Sequence, residues 1–89
     1  MRMTDIYIRL NTTNDIVCID LKHQLGNQYT PRMMKKIDLF NLQGVRVLTK
    51  EFSASEKFTL ELPTDLKGMY IVKITDASGM DFFKKILIK

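Results

Sequence analysis

The side chains that could perform catalysis or bind a metal are few and scattered along this chain. Its 89 residues include one histidine, His23, and one cysteine, Cys18. A zinc site takes several Cys or His ligands, and a catalytic triad takes a nucleophile beside a positioned base. Ser53, Ser55 and Ser78 lie in segments that have the composition of turns, and no carboxylate pair stands out from the surface pattern. The sequence therefore predicts a protein that is not an enzyme and that uses no metal or cofactor.

The two reactive residue types also have ordinary structural explanations. A single cysteine excludes an internal disulfide, and Cys18 lies in the apolar run IVCID, which predicts a buried, inert thiol. His23 ends the predicted strand at residues 15–23 and is predicted at the surface. Gly44, Gly68 and Gly79 are isolated from one another, so they predict turns and not a phosphate-binding loop.

The composition predicts one globular domain that spans residues 1–89. Hydrophobic residues make up 45% of the chain and charged residues 27%, which are values of folded globular proteins. No apolar run approaches the roughly 20 residues of a spanning helix, so membrane insertion is not predicted. No signal-peptide pattern opens the chain. We therefore expect either a cytoplasmic protein or a mature or expressed piece of a longer one.

The net charge of +4 and the pI of about 9.3 raise the hypothesis of nucleic-acid binding. The basic residues are spread along the chain and alternate with apolar ones, as on the solvated face of a sheet. Arg32, Lys35 and Lys36 form the one local cluster before the C-terminus, and no aromatic residues are interleaved with them for base stacking. The pattern therefore favours no nucleic-acid partner.

Apolar residues recur with a period of two, which predicts β-strands. The alternation is clear in KFTLEL, where Phe58, Leu60 and Leu62 share one face. Seven such segments occur, at residues 5–11, 15–23, 35–42, 45–52, 57–62, 69–75 and 82–89. Polar or glycine-containing segments separate them, at residues 11–14, 43–44, 53–56, 63–68 and 76–79. The longest gap, residues 24–32, contains Gly26 and Pro31 and is predicted to be a loop.

Seven short strands at intervals of roughly ten residues predict an all-β, seven-stranded immunoglobulin-like β-sandwich. There is no tryptophan and one cysteine, so side-chain packing alone must hold the two layers together. Leu60 and Val72 are predicted to point inward, where truncation to alanine should cost about 2 to 4 kcal/mol.

Two long blocks of the chain resemble a known family. The first is KKIDLFNLQGVRVLTKEF, in which Asn41, Leu42 and Gly44 follow a strand; the second is LPTDLKGMYIVKITDASGMDFFKKILIK, which contains Gly68-Met69-Tyr70 and ends in alternating basic and apolar residues. Together they resemble the C-terminal sorting domain of the type IX secretion system, the Por system of Bacteroidota. The family usually carries a Pro-Asn-Pro element before its second strand, and here Asn11 stands without either proline.

The resemblance implies a folded tag at the C-terminus of a larger cargo. Such a tag passes through the periplasm, is recognised by the outer-membrane translocon, and is removed by a sortase-like protease at the cell surface. The cargo then stays at the surface or leaves the cell. The partners implied are therefore this machinery and an N-terminal cargo domain.

The chain ends inside a strand-like segment, and the resemblance implies that this segment is the signal recognised by the secretion machinery. A final strand at a sheet edge can bind a partner by backbone pairing, and lysines can add charge complementarity. The residues assigned to partner recognition are Gly68, Tyr70, Lys84, Lys85, Ile86, Ile88 and Lys89. Those assigned to turns are Asn41, Gly44 and Gly79. The alternative is that the lysines have no role in recognition and only prevent aggregation at an edge strand.

A second hypothesis is a small stand-alone secreted immunoglobulin-like protein that binds a ligand through its loops. Residues 24–32 would then be its contact loop. An exposed sheet edge can also pair two copies of a chain, so an edge-strand dimer is a further hypothesis.

Overall fold

The computed structural model describes residues 2–11 and 15–88, and within these ranges the chain forms strands and no helix. The strands are β1 (Arg2–Asn11), β2 (Ile16–Leu25), β3 (Gln28–Pro31), β4 (Met34–Asn41), β5 (Arg46–Ser55), β6 (Lys57–Glu61), β7 (Gly68–Asp76) and β8 (Asp81–Ile88). The prediction of an all-β protein is confirmed. In the described ranges nothing helical is long and apolar enough to cross a membrane. The predicted turn at residues 11–14 lies largely outside the described residues.

The strands form two antiparallel sheets of four strands each. In the first sheet β1 pairs with β2 along its whole length, and the other side of β2 pairs with β6 near its start and with β3 near its end. The second sheet has the order β5-β4-β7-β8. Strands β4 and β7 therefore lie at its centre, and β5 and β8 form its two edges.

The core lies between the two sheets. The first sheet contributes Val17, Ile19 and Leu21 from β2, which lie at every second position because successive side chains of a strand point to opposite faces. The other buried apolar side chains are Met34, Ile37, Leu39, Leu60, Leu62, Val72, Ile74, Ile86 and Ile88. Leu60 and Val72 are thus inward-facing, as the alternation predicts. Packing between two inner faces gives a sandwich-like architecture.

The prediction of seven strands is wrong, because the segment at residues 24–32 is not a loop. Strand β2 continues through Leu25 and β3 begins at Gln28, which leaves the two-residue turn Gly26-Asn27. Gly26 has φ +62°, a left-handed conformation that this type of hairpin turn takes. All four residues of β3 are exposed, so the strand carries no apolar alternation that could reveal it in the sequence.

Two smaller expectations also differ from the structure. The polar segment at residues 53–56 does not end the strand before it, because β5 continues to Ser55, opposite Met34. An exposed edge strand accepts polar residues on both faces, so polarity alone does not mark its end. Cys18 is a free thiol that is only partly buried; it lies between Val17 and Ile19 and therefore on the outer face of β2. The apolar run around it predicted the interior, but the alternation places it outward.

Candidate functional site

Strand β8 lies at an edge of the second sheet. It pairs with β7 from Thr75 opposite Asp81 to Gly68 opposite Ile88, and none of the described strands pairs with its other side. The backbone groups on the open side of such a strand can hydrogen-bond to a strand from another protein. The location that the recognition hypothesis needs is therefore present.

The side chains of β8 divide between the two faces of its sheet. Ile86 and Ile88 point inward and belong to the core, with exposed fractions of 8% and 4%. Phe83, Lys85 and Leu87 alternate with them and are exposed on the outer face. A partner that meets the outer face of β8 therefore contacts these three side chains.

The residues assigned to recognition from the sequence do not all lie on one surface. Gly68 begins β7 opposite Ile88, and Tyr70 is half-buried against the core opposite Ile86. Ile86 and Ile88 are core residues, so a partner cannot reach their side chains in the folded domain. Lys85 is exposed on the outer face. Lys89 lies outside the described residues.

Lys84 points toward the other sheet. Its Nζ donates a hydrogen bond of 2.9 Å to the backbone oxygen of Ile6 in β1, which is the edge strand of the first sheet. This bond joins the two sheets along the side of the sandwich where β1 and β8 lie near each other. It also occupies one acceptor on the open edge of β1.

The sequence-based assignment missed the exposed apolar residues of this surface. Phe83 is 63% exposed, Leu87 is 47% exposed, and Met69 lies opposite Leu87 at 40% exposure. We call these three residues and Lys85 the outer patch. The alternation along the last strand could have found them, because facing Ile86 and Ile88 inward would place Phe83 and Leu87 on the opposite face.

The outer face of the second sheet also carries ion pairs. Asp38 is buried at the centre of β4, with one carboxylate oxygen 3.7 Å from the Arg46 guanidinium and the other 4.0 Å from Lys36 Nζ. Lys73 Nζ lies 3.8 Å from the carboxylate of Asp81. Ion pairs thus lie beside the outer patch next to Phe83, whereas next to Lys85 the face continues through the partly buried Ile71.

A hydrogen-bonded cluster around Asp76 forms the loop between β7 and β8. One carboxylate oxygen accepts bonds from the backbone N–H of Ser78 and of Met80, both at 2.9 Å, and from the Ser78 hydroxyl at 2.7 Å. The other oxygen accepts a bond of 2.8 Å from the guanidinium of Arg32, which follows β3. Asp76 therefore fixes the start of β8 and ties it to the first sheet.

The loop between β4 and β5 repeats this arrangement. Asn41 Oδ1 accepts hydrogen bonds from the backbone N–H of Gln43 at 3.0 Å and of Val45 at 2.9 Å. These donors lie two and four residues after the acceptor, as Ser78 and Met80 do after Asp76. The fourth residue of each turn is a glycine, and Gly44 and Gly79 have φ values of +85° and +95°. The two five-residue turns, NLQGV and DASGM, therefore share one hydrogen-bond pattern, in which a short polar side chain replaces backbone partners.

The pKa of Asp76 gives a prediction for the pH dependence of stability. Burial alone would raise the pKa of this carboxyl, but the bonds from Ser78 and Met80 and the charge of Arg32 outweigh it and hold the pKa below its ordinary value of 3.8. A carboxyl whose pKa is lower in the folded state stabilises fully above its unfolded pKa of about 3.9. This stabilisation is lost as the pH falls through the folded pKa.

We therefore expect the midpoint of urea unfolding to fall more steeply below about pH 4 in the natural protein than in Asp76→Asn, which has no ionisable group at this position. Unfolding curves measured across this range of pH test the prediction. Parallel pH profiles for the two proteins would show that the Asp76 carboxylate adds no pH-dependent stability.

The described residues contain no group of three or more His, Cys, Asp or Glu side chains that could hold a metal ion. His23 is partly buried, and its Nδ1 lies 3.4 Å from an Arg32 nitrogen.

Comparison with protein families supplies the identity of the domain. The family model described as "Secretion system C-terminal sorting domain" matches residues 11–89, which is nearly the whole chain. The search of curated proteins gives no match. The match supports a C-terminal sorting signal for type IX secretion, which implies contact with that machinery and with a cargo, and export across the outer membrane to the cell surface or beyond. It gives no support to the stand-alone binding protein. The chain therefore belongs to the secretion system C-terminal sorting domain family.

Proposed function

We propose that the type IX machinery recognises this domain at β8, by pairing with its open edge and by contacting the outer patch. The proposed partners are the outer-membrane translocon, reached after transit through the periplasm, and the sortase-like protease that acts on the tag. The domain itself performs no catalysis in this proposal. The observation that carries it is an edge strand with a 63% exposed phenylalanine, Phe83.

The chemistry of the outer patch defines what its partner must offer. Phe83 and Leu87 lie on either side of Lys85 on one face of the strand. A partner strand with apolar side chains around a carboxylate would cover the two apolar groups and pair with the lysine. Backbone hydrogen bonds would supply affinity, and these side chains would supply register and specificity.

An immunoglobulin-like topology is part of the proposal. Strands β1, β2 and β6 are neighbours in the first sheet, in the positions of strands A, B and E of that fold. In the second sheet β4, β7 and β8 correspond to strands C, F and G. The edge strand β8 is then strand G, and β3 is an addition beside β2.

Export of a reporter fused ahead of the domain tests the recognition surface. We expect the double variant Phe83→Ala/Leu87→Ala to reduce export by about tenfold, the effect of losing about 1.4 kcal/mol of binding, with reporter accumulating in the periplasm. Both side chains are exposed, so the fold should be retained, which urea unfolding checks. Deleting residues 85–89 is less informative, because the deletion removes the core residues Ile86 and Ile88.

The double variant Leu42→Ala/Val45→Ala is a matched control. Both residues are 57% exposed apolar side chains in the turn between β4 and β5. We expect normal export from this variant. Normal export from the β8 variant, or an equal defect in the control, would refute recognition through the outer patch.

A further inference from the structure

A second surface, on the outer face of the first sheet, has the features of a ligand site. It is an open cavity of about 460 Å³, and its lining includes Tyr7, Arg9, Asp20, Lys22, Lys57 and Lys84. This volume is within the range of roughly 300 to 1,000 Å³ in which small-molecule sites fall. The cavity is distinct from the outer patch, which lies on the other sheet.

The strand register brings these residues together. Tyr7 in β1 lies opposite Asp20 in β2, and Asp20 lies opposite Lys57 in β6. Arg9 and Lys22 lie two residues from this row, on the same face of their strands. Facing side chains of paired strands are about 5 Å apart at their Cβ atoms, so the row forms a continuous floor. Lys84 reaches the cavity from the second sheet through its bond to the Ile6 oxygen.

The charges in this cavity are unbalanced. Among the lining side chains that the structure describes, Arg9, Lys22, Lys57 and Lys84 contribute four positive charges and Asp20 contributes one negative charge. Ion pairs within 4.0 Å elsewhere neutralise Arg32, Lys36, Arg46 and Lys73, whereas among the described side chains no such pair reaches the four cations of the cavity. The cavity therefore has an excess of positive charge that an anion would offset.

The donors suit a phosphate group. Arginine can bind two oxygens of a phosphate at once, and lysine adds compact positive charge. The Lys84 ammonium has three N–H donors, and the bond to Ile6 uses one. Lys22 Nζ lies 5.2 Å from the centre of the Tyr7 ring, which holds this cation at the cavity wall.

We propose that this cavity binds a phosphate ester, with Arg9 and Lys57 as its main ligands. A phosphate monoester carries about two negative charges near neutral pH, which would offset most of the excess positive charge of the cavity. Tyr7 and Arg9 precede residues 11–89, the segment that the family model matches, so the cavity is partly built from residues outside the family pattern. The site goes beyond the sorting function and does not depend on recognition through β8.

Backbone amide NMR with glycerol 3-phosphate tests the site directly. At physiological salt, where screening acts over about 8 Å, we expect saturable shifts at Arg9, Asp20 and Lys57. The double variant Arg9→Gln/Lys57→Gln should bind about tenfold more weakly or worse, since it loses two charge-assisted contacts. The variant Arg9→Lys/Lys57→Arg keeps both charges and should retain binding, which separates lost binding from lost structure.

Two comparisons decide between the site and general ionic attraction. Lys35→Gln/Lys50→Gln removes two exposed charges elsewhere and should leave the affinity unchanged. Phosphatidylcholine vesicles with and without phosphatidic acid distinguish a lipid headgroup from a soluble ester as the source of the phosphate. Binding to either source that Arg9→Gln/Lys57→Gln weakens supports the proposal. Unsaturable shifts, or equal weakening by Lys35→Gln/Lys50→Gln, would overturn it, as would no binding to either probe.

Discussion

Replacing Leu39 with alanine is expected to lower the free energy of unfolding by about 3 to 4 kcal/mol, as for other buried leucines. Leu39 is fully buried at the centre of β4, between Leu48 of β5 and Val72 of β7. Both neighbouring strands fix the backbone around it, so the structure can close little of the resulting cavity. The loss would be a large part of the 5 to 15 kcal/mol that stabilises a typical domain. Urea unfolding measures it.

Leu42→Ala is the matched control, because it removes the same atoms from a side chain that is 57% exposed. We expect a change within about 0.5 kcal/mol for this variant. Similar losses in the two variants would mean that Leu39 is not packed as described.

Replacing Asp76 with alanine is the second large effect, with an expected loss of about 2 to 4 kcal/mol. The change removes the acceptor for three bonds from Ser78 and Met80 and leaves Arg32 without its carboxylate. The loop that starts β8 and its link to the first sheet are both weakened. Chemical unfolding at neutral pH, where the carboxyl is ionised, measures the loss.

Asp81→Ala supplies the comparison within the same hairpin. Asp81 is exposed, accepts one bond from the Thr75 hydroxyl, and lies 3.8 Å from Lys73 Nζ. Exposed pairs of this kind contribute about 1 kcal/mol or less. Asp76→Asn should fall between the two, because the amide keeps an oxygen acceptor, as Asn41 does in the related turn, but loses the charge. If Asp76→Ala cost no more than Asp81→Ala, the cluster would not be a main support of the hairpin.

The strands that carry alternating apolar residues could be predicted from the sequence, and their inward faces with them. Val17, Ile19 and Leu21 lie in the core as their spacing requires, and so do Leu60 and Val72. A strand that is buried on one face has apolar residues at every second position, and this alternation is visible in the sequence. Strand β3 is exposed at every residue, so it left no such pattern and was missed. The Gly26-Asn27 pair was the remaining sign of a hairpin, and composition alone could not separate it from a loop.

Recognition at the final strand stays a prediction, but the residues assigned to it can be compared with their places in the structure. The resemblance pointed to the final strand, and the strand does lie at a sheet edge. The assignment of Ile86 and Ile88 to recognition followed the resemblance to the family's basic and apolar ending, whereas both side chains face the core. The cavity over Tyr7 and Lys57 was beyond reach, because it depends on which strands become neighbours. Residues so distant in sequence reveal no relation until β2 is placed between β1 and β6.

The adjacent lysines of β8 have a consequence for how copies of the domain meet. If two copies paired antiparallel at the middle of this strand, Lys84 and Lys85 of one copy would lie close to the same lysines of the second copy. Like charges that face each other across paired strands repel, which penalises this homotypic union. A foreign strand with carboxylates at the same positions would meet attraction instead. The same two lysines would therefore disfavour a homodimer through the open edge of β8 and favour an acidic strand from another protein.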